Sequence, residues 1–96
     1  MMTKNILDSL PFEGLKTKKL LSNETGSIIL ISLEKGSELT AHTSPTDASI
    51  LILEGDVKFK INDTDNVLSK NDLFSFKKNE IHAVEALSNA KLILIK

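Results

Sequence analysis

Short segments with the pattern of β-strands, separated by turn residues, follow one another along most of the chain. In Val57–Ile61, apolar residues alternate with lysines, as in a strand with one buried face. Residues 27–33 are apolar at most positions, as in a strand covered on both faces. Nine or ten such segments at spacings of about 8–12 residues, without a long helical pattern, predict an all-β sandwich or barrel. The predicted strands are 15–21, 27–33, 38–43, 48–53, 57–61, 66–69, 73–76, 81–87 and 91–96.

The chain has 96 residues, and domains usually contain about 100–200 residues, so we expect a single hydrophobic core. This domain should span residues 1–96, with a lead-in at 1–14 and a barrel from about residue 15. Residues 5–10 can form a short helical turn, which Pro11 and Gly14 end. The sequence contains no cysteine, which excludes disulfides and thiolate ligands.

The charge balance argues against nucleic-acid and membrane partners. The formal net charge is −1, and all 12 basic residues are lysine, so the bidentate grip of arginine on phosphates is missing. The sequence has no Trp or Tyr for base stacking. It also has no run approaching the ~18 apolar residues of a membrane span and no apolar signal region near the N-terminus. We therefore expect a cytoplasmic protein.

The two histidines of the chain lie in two stretches with similar patterns. His42 lies within residues 36–55, and His82 ends residues 71–82. Each stretch has a strand, turn, strand pattern, and side chains alternate between the two faces of a strand. The sequence therefore predicts that both imidazoles point from neighbouring strands toward a common interior.

These two stretches resemble the paired sequence motifs of the cupin family, whose members are small jelly-roll β-barrels. The first family motif has glycine, five residues, histidine, a second histidine two positions later, a glutamate and a closing glycine. Gly36, His42 and Gly55 match this motif. Asn71, Asp72 and His82 fall in register with the second motif. The resemblance implies a double-stranded β-helix, or jelly-roll barrel.

The resemblance covers about residues 27–96, but the chain departs from the family at several motif positions. The second histidine, the glutamate, and the proline, glycine and asparagine of the second motif are all replaced. The metal site that is usual in the family is therefore implied only at His42 and His82. The replacing residues are Ser44, Ala48, Lys77, Asn79 and Ala86.

A divalent metal such as Zn, Fe, Ni or Mn is one candidate cofactor at His42 and His82. Two imidazoles are too few, because a catalytic zinc normally has three protein ligands and a non-haem iron has two histidines and a carboxylate. Asp47, beside the replaced glutamate position, or Glu80, on the strand face of His82, is the candidate third ligand. Without a metal, an imidazole can act as a general base, because its ordinary pKa of about 6.5 is close to working pH.

Candidate ligand-binding residues lie near the histidines or along the inward faces of predicted strands. A serine follows His42 by two positions, without an evident acid to orient a serine–histidine pair for hydrolysis. The apolar candidates suit either the core or the wall of a cavity. The candidate residues are Ser44, Ile50, Ile52, Phe59, Phe74 and Phe76.

Three predicted strands are apolar on both faces, at residues 28–31, 50–53 and 92–95. The barrel interior covers one face, and the chain has no predicted helices to cover the other. We therefore expect a homodimer formed through sheet faces or edges. The candidate contact residues are Leu51, Leu53, Ile93 and Ile95.

Three functions are compatible with these features. The first is a small stand-alone cupin-like protein that binds a small molecule in the barrel cavity, with a reduced two-histidine site at its mouth. The second is a metal-dependent enzyme of the oxygenase or isomerase type that uses His42, His82 and one carboxylate. The third is a sensor or oligomerisation module, because some cupin-like barrels are the sensing part of transcription regulators.

Overall fold

The computed structural model describes residues 2–96, which form nine β-strands after a short 3-10 helix at Ile6–Ser9. This confirms the all-β prediction and the helical turn expected near the N-terminus. Within residues 2–96, no helix is long and apolar enough to cross a membrane. The strands are β1 (Leu15–Asn23), β2 (Gly26–Leu33), β3 (Glu38–His42), β4 (Ala48–Glu54), β5 (Val57–Ile61), β6 (Thr64–Leu68), β7 (Leu73–Phe76), β8 (His82–Ala86) and β9 (Ala90–Ile95).

The strands form two antiparallel sheets. The five-stranded sheet has the order β1-β2-β9-β4-β7, and the four-stranded sheet has the order β3-β8-β5-β6. Strands distant in sequence are neighbours, since β9 lies between β2 and β4 and β8 lies between β3 and β5. This arrangement is the predicted jelly roll. β1 is an edge strand of this sheet, and its lysines at 16, 18 and 19 discourage pairing with other chains.

The side chains between the two sheets form one continuous core. Val57 and Phe59 are completely buried, whereas Lys60 is exposed, so the alternation predicted for β5 is confirmed. Because large aliphatic and aromatic side chains fill the interior, no wide hollow runs through the middle of the barrel in the described residues. The buried core residues are Ile31, Leu33, Ala48, Ile50, Ile52, Val57, Phe59, Ile61, Leu68, Phe76, Val84, Ala86, Ala90 and Leu92.

The turn between β5 and β6 is tighter than the sequence suggests. Asn62 and Asp63 have φ angles of 48° and 64°, so both residues are in the left-handed region. Two such residues form the hairpin turn whose twist matches that of the flanking strands. The structure therefore corrects the predicted four-residue turn at 62–65, and β6 begins at Thr64 instead of residue 66.

The N-terminal segment crosses the face of the five-stranded sheet that points away from the core, here called the outer face. The Ser32 hydroxyl donates to the Pro11 carbonyl over 2.8 Å, and the Lys91 ammonium donates to the Leu7 carbonyl. The Lys91 Nζ also lies 4.5 Å from the centroid of the Phe12 ring. Ser32 and Lys91 are nearly inaccessible to solvent. The N-terminal segment therefore covers this end of the outer face.

The rest of the outer face is apolar and only partly covered. Leu51 lies opposite both Leu73 and Ile93, and Ile95 lies opposite Ile28. Leu73 is 61% exposed and Ile95 is 41% exposed. We call this surface the outer patch; it consists of Ile28, Leu51, Leu53, Leu73, Ile93 and Ile95.

Candidate functional site

The two histidines are direct neighbours on adjacent strands. His42, the last residue of β3, and His82, the first residue of β8, are partners in the antiparallel pairing of these strands. Their ring centroids are 4.2 Å apart, and the ring planes form an angle of 62°. The structure thus brings together two imidazoles that are forty positions apart in the sequence.

The two imidazoles have different surroundings. His42 is exposed, whereas His82 is buried against the ring of Phe76, with 4.4 Å between centroids, and lies 6.0 Å from the ring of Phe59. Burial lowers the pKa of His82, because the charged imidazolium loses hydration. The neighbouring His42 lowers this pKa further by repulsion, while the backbone carbonyl of Glu80 opposes the shift. His82 therefore favours the neutral form.

Both imidazoles are oriented by backbone carbonyls of their own chain segment. The Nδ1 atom of His42 lies 2.7 Å from the Thr40 carbonyl oxygen, and that of His82 lies 2.9 Å from the Glu80 carbonyl oxygen. Such bonds fix the ring orientation and direct Nε2 away from the backbone. Glu80 thus orients His82, but through its main chain rather than its carboxylate.

A cavity of about 80 Å³ lies beside the histidine pair. The residues around it come from the end of β3 and the loop that leads to β4, the start of β4, the end of β7, the start of β8 and the C-terminal end of β9, which together form one mouth of the barrel. Its wall combines imidazole, hydroxyl, aromatic and aliphatic groups. The lining residues are His42, Thr43, Ser44, Pro45, Ala48, Phe76, His82, Leu94 and Lys96.

The predicted ligand-binding residues separate into two groups. Ser44 and Phe76 line this cavity together with the histidines. Ile50, Ile52 and Phe59 are buried among core side chains and are not among the lining residues. The sixth candidate, Phe74, is half-buried and packs against the same core, with its ring 4.9 Å from that of Phe59.

Sequence reasoning misses several residues of the cavity. Thr43 lies between two candidate site residues, and this position is a signal that could have identified it. Leu94 and Lys96 belong to the end of the chain, where nothing in the sequence marks them. Their contribution depends on β9 lying between β2 and β4, which only the sheet order reveals.

The carboxylates that the sequence offers as third metal ligands have other partners. The Asp47 carboxylate accepts a hydrogen bond from the Lys78 amide over 2.9 Å, and the Glu80 carboxylate accepts one from the Lys77 amide over 2.7 Å. Among residues 2–96, no group of three or more His, Cys, Asp or Glu side chains is placed to hold a metal ion. A metal centre with three protein ligands, as catalytic zinc or non-haem iron requires, therefore does not fit the described part of the chain.

Comparison with protein families agrees with the motifs and the sheet order. The model of the Cupin domain family matches residues 29–96, which is most of the chain. The chain belongs to the cupin family. No curated protein matches this cupin.

Solved structures share the fold of this cupin over nearly its whole length. A conserved protein of unknown function from Streptococcus pyogenes is 25% identical with a TM-score of 0.79, and the match covers 84% of this chain and 71% of that chain. An RmlC-like cupin from Desulfovibrio desulfuricans is 20% identical with a TM-score of 0.89, over 99% of this chain and 94% of that chain. A cupin superfamily protein from Desulfitobacterium hafniense is 21% identical with a TM-score of 0.86, covering 94% and 83%.

Proposed function

We propose that this cupin binds a small molecule at the mouth of its barrel, in the cavity beside His42 and His82. The observation that carries this proposal is the contact between the two rings at the wall of the cavity. Phe76 supplies an aromatic surface and Ser44 a hydroxyl group next to them. Small-molecule sites usually combine apolar walls with a few convergent polar groups in this way.

The cavity limits the size of what it can enclose. Pockets that enclose drug-sized ligands usually measure about 300–1,000 Å³, whereas this cavity measures about 80 Å³. His42 and Thr43 are exposed, so the cavity opens to solvent on their side. The ligand is therefore very small, or it inserts one end into the mouth while the rest stays outside.

A screen of small fragments by NMR tests the proposal. Isotopically labelled protein is mixed with each fragment, and changes in the backbone amide signals are mapped on the sequence. We expect binding fragments to shift the signals of residues 42–48 and of His82, and the exposed His42→Ala variant to lose these shifts. Glu38→Ala, an exposed position on the same strand, is the matched control. Shifts that occur elsewhere, or that persist in His42→Ala, would contradict the proposal.

The metal-dependent enzyme is not part of this proposal. The two candidate carboxylates, Asp47 and Glu80, accept hydrogen bonds from backbone amides of the turn between β7 and β8. Moving either carboxylate to a metal would leave its amide partner without a hydrogen bond, at a cost of about 1–3 kcal/mol if that amide stays shielded from water. The hydrogen bonds of these carboxylates therefore favour a ligand that contacts the imidazoles directly over one that is held by a metal.

Homodimer formation through the outer patch is the second part of the proposal. The patch extends over β2, β9, β4 and β7 of the five-stranded sheet, and the neighbouring Ser49 and Ser75 hydroxyls form a hydrogen bond with each other and add no charge. Two identical, uncharged apolar surfaces can pack about a two-fold axis, because the same patch of each copy then contacts the patch of the other copy. A second copy of this chain is therefore the occupant that we propose for the patch.

Sedimentation velocity at micromolar concentration tests the dimer. We expect wild type to sediment as a dimer and Ile95→Lys to sediment as a monomer, because a lysine within the contact would bury an unpaired charge. Val67→Lys is the matched control, since Val67 is 62% exposed on the edge strand of the other sheet. A monomeric wild type, or equal dissociation of both variants, would contradict this arrangement.

A further inference from the structure

The hydrogen bonds of the two imidazoles decide which ring nitrogen carries the proton. Each Nδ1 lies within hydrogen-bonding distance of a backbone carbonyl, at Thr40 for His42 and at Glu80 for His82. A carbonyl oxygen can only accept, so each Nδ1 must carry a hydrogen and donate it. In the neutral imidazole, each Nε2 therefore has a free lone pair and acts as an acceptor.

The two Nε2 acceptors are available to a ligand. In residues 2–96, the hydrogen bonds of both rings go through Nδ1. In the same residues, every solvent-inaccessible side-chain nitrogen or oxygen has a hydrogen-bond partner. Because the Nε2 of His82 has no such partner, this atom must be accessible to solvent. Since the rings are 4.2 Å apart and line one cavity, both imidazoles are close enough to contact the same small group.

The other polar groups of the cavity argue against a cationic ligand. No aspartate or glutamate is among the lining residues, and the nearby Asp47 and Glu80 carboxylates are bound to backbone amides. A buried ammonium group would thus have no carboxylate in contact with it, which is costly.

A carboxylate ligand is also a poor match for neutral imidazoles. Above the ordinary imidazole pKa of ~6.5, its oxygens carry only lone pairs, which would face the lone pairs of the two unprotonated Nε2 atoms. The exposed Lys96 offsets little of this, because a solvated ion pair contributes only about 0–1 kcal/mol. A hydroxyl group has no such conflict, since its hydrogen can be donated to Nε2 while its oxygen accepts a hydrogen bond from Thr43 or Ser44.

We propose that the cavity binds neighbouring hydroxyl groups of a neutral polyol, with one hydroxyl donating to Nε2 of His42 and the next to Nε2 of His82. This inference rests on the proposed binding function and names its ligand class. The cavity of about 80 Å³ fits the size of such a group, because roughly 10–15 Å³ of cavity is enough to hold one water molecule. A longer polyol would place its remaining carbons outside, beside the exposed His42 and Thr43.

The test uses three probes of similar size and different charge: ethane-1,2-diol, acetate and methylammonium. The protein is treated with a chelator, kept free of glycerol and Tris, and studied at about pH 8, above the ordinary imidazole pKa of ~6.5. The ¹⁵N chemical shift of each Nε2 is followed during titration up to molar concentrations. We expect the diol alone to cause a saturable upfield shift at both nitrogens, because a hydrogen bond to a lone pair shields that nitrogen.

Variants separate the hydrogen bonds from unspecific contact. We expect His42→Ala to weaken diol binding roughly 2- to 12-fold, the loss of one hydrogen bond of about 0.5–1.5 kcal/mol. Glu38→Ala should leave the affinity unchanged. Saturable binding of acetate or methylammonium in place of the diol would overturn the ligand class but leave the binding function standing. Failure of all three probes to shift either Nε2 would overturn both.

Discussion

Phe76 allows a direct test of how packing controls the ionisation of His82. The Phe76 side chain is 5% exposed, and its ring lies 4.4 Å from His82 and 5.3 Å from Phe59. Phe76→Leu removes part of the aromatic surface and lets water approach the imidazole. Because burial is the main cause of the lowered pKa of His82, we expect this pKa to rise toward its ordinary value of 6.5.

The same substitution should destabilise the fold only moderately. Truncation of a buried phenylalanine to alanine costs about 3–5 kcal/mol, and leucine keeps much of the side chain, so we expect a loss on the order of 1–2 kcal/mol. At roughly 0.05–0.15 kcal/mol per residue, a chain of 96 residues has about 5–14 kcal/mol of unfolding free energy. Phe76→Leu should therefore stay folded at neutral pH.

Two measurements on each variant check this reasoning. An NMR pH titration of the imidazole protons gives the pKa of His82, and urea denaturation gives the free energy of unfolding. Leu68→Ala is the matched control, because Leu68 is buried on β6, which β5 separates from the strand of His82. We expect it to cost about 2–5 kcal/mol without changing the pKa of His82. An unchanged or lower pKa in Phe76→Leu would refute burial by Phe76 as the cause.

Three further predictions concern the N-terminal segment, the metal content and acid stability. We expect Lys91→Met to speed proteolysis within residues 6–12, because it removes a charge-assisted hydrogen bond of about 1.5–3 kcal/mol; exposed Lys35→Met should not. Elemental analysis of protein purified without added metal should find no stoichiometric Zn, Fe, Ni or Mn; metal that both His42→Ala and His82→Ala lose would contradict the donor argument. Because unfolded His82 binds its proton more readily than folded His82, the unfolding free energy should fall as pH drops below 6.5, by at most about 1.4 kcal/mol per pH unit. In urea denaturation, the unfolding free energy of His82→Gln should not show this fall below pH 6.5. If the unfolding free energies of His82→Gln and wild type decreased equally with pH, the prediction would be contradicted.

The strands were predictable because local pattern and global burial agree. The alternation around Phe59 needs only the two-residue period of a strand. The closing motif glycine, Gly55, also has a local reason, since its φ is 77° and a Cβ atom there would lie 2.1 Å from the Asn89 carbonyl oxygen. The turn at Asn62 and Asp63 was less predictable, because four successive turn-forming residues do not show which two adopt left-handed conformations.

The candidate site was predictable at its histidines and not at its carboxylates. His42 and His82 lie in strands that pair with each other, as the resemblance to the paired family motifs implies. The partners of Asp47 and Glu80 depend on the shape of the turn between β7 and β8, where amide groups compete for both side chains. The cover that the N-terminal segment gives to the outer face was equally hidden, because it depends on the buried Lys91.

The two imidazoles differ in how firmly the scaffold holds them. His82 lies on β8, which has a strand on each side, whereas His42 ends β3, an edge strand paired only with β8 and with an irregular register before His42. Hydrogen bonds on a single side make such a strand the first to fray. The spacing between the rings is therefore adjustable, and this mouth should tolerate a range of ligand shapes at the expense of tight selectivity.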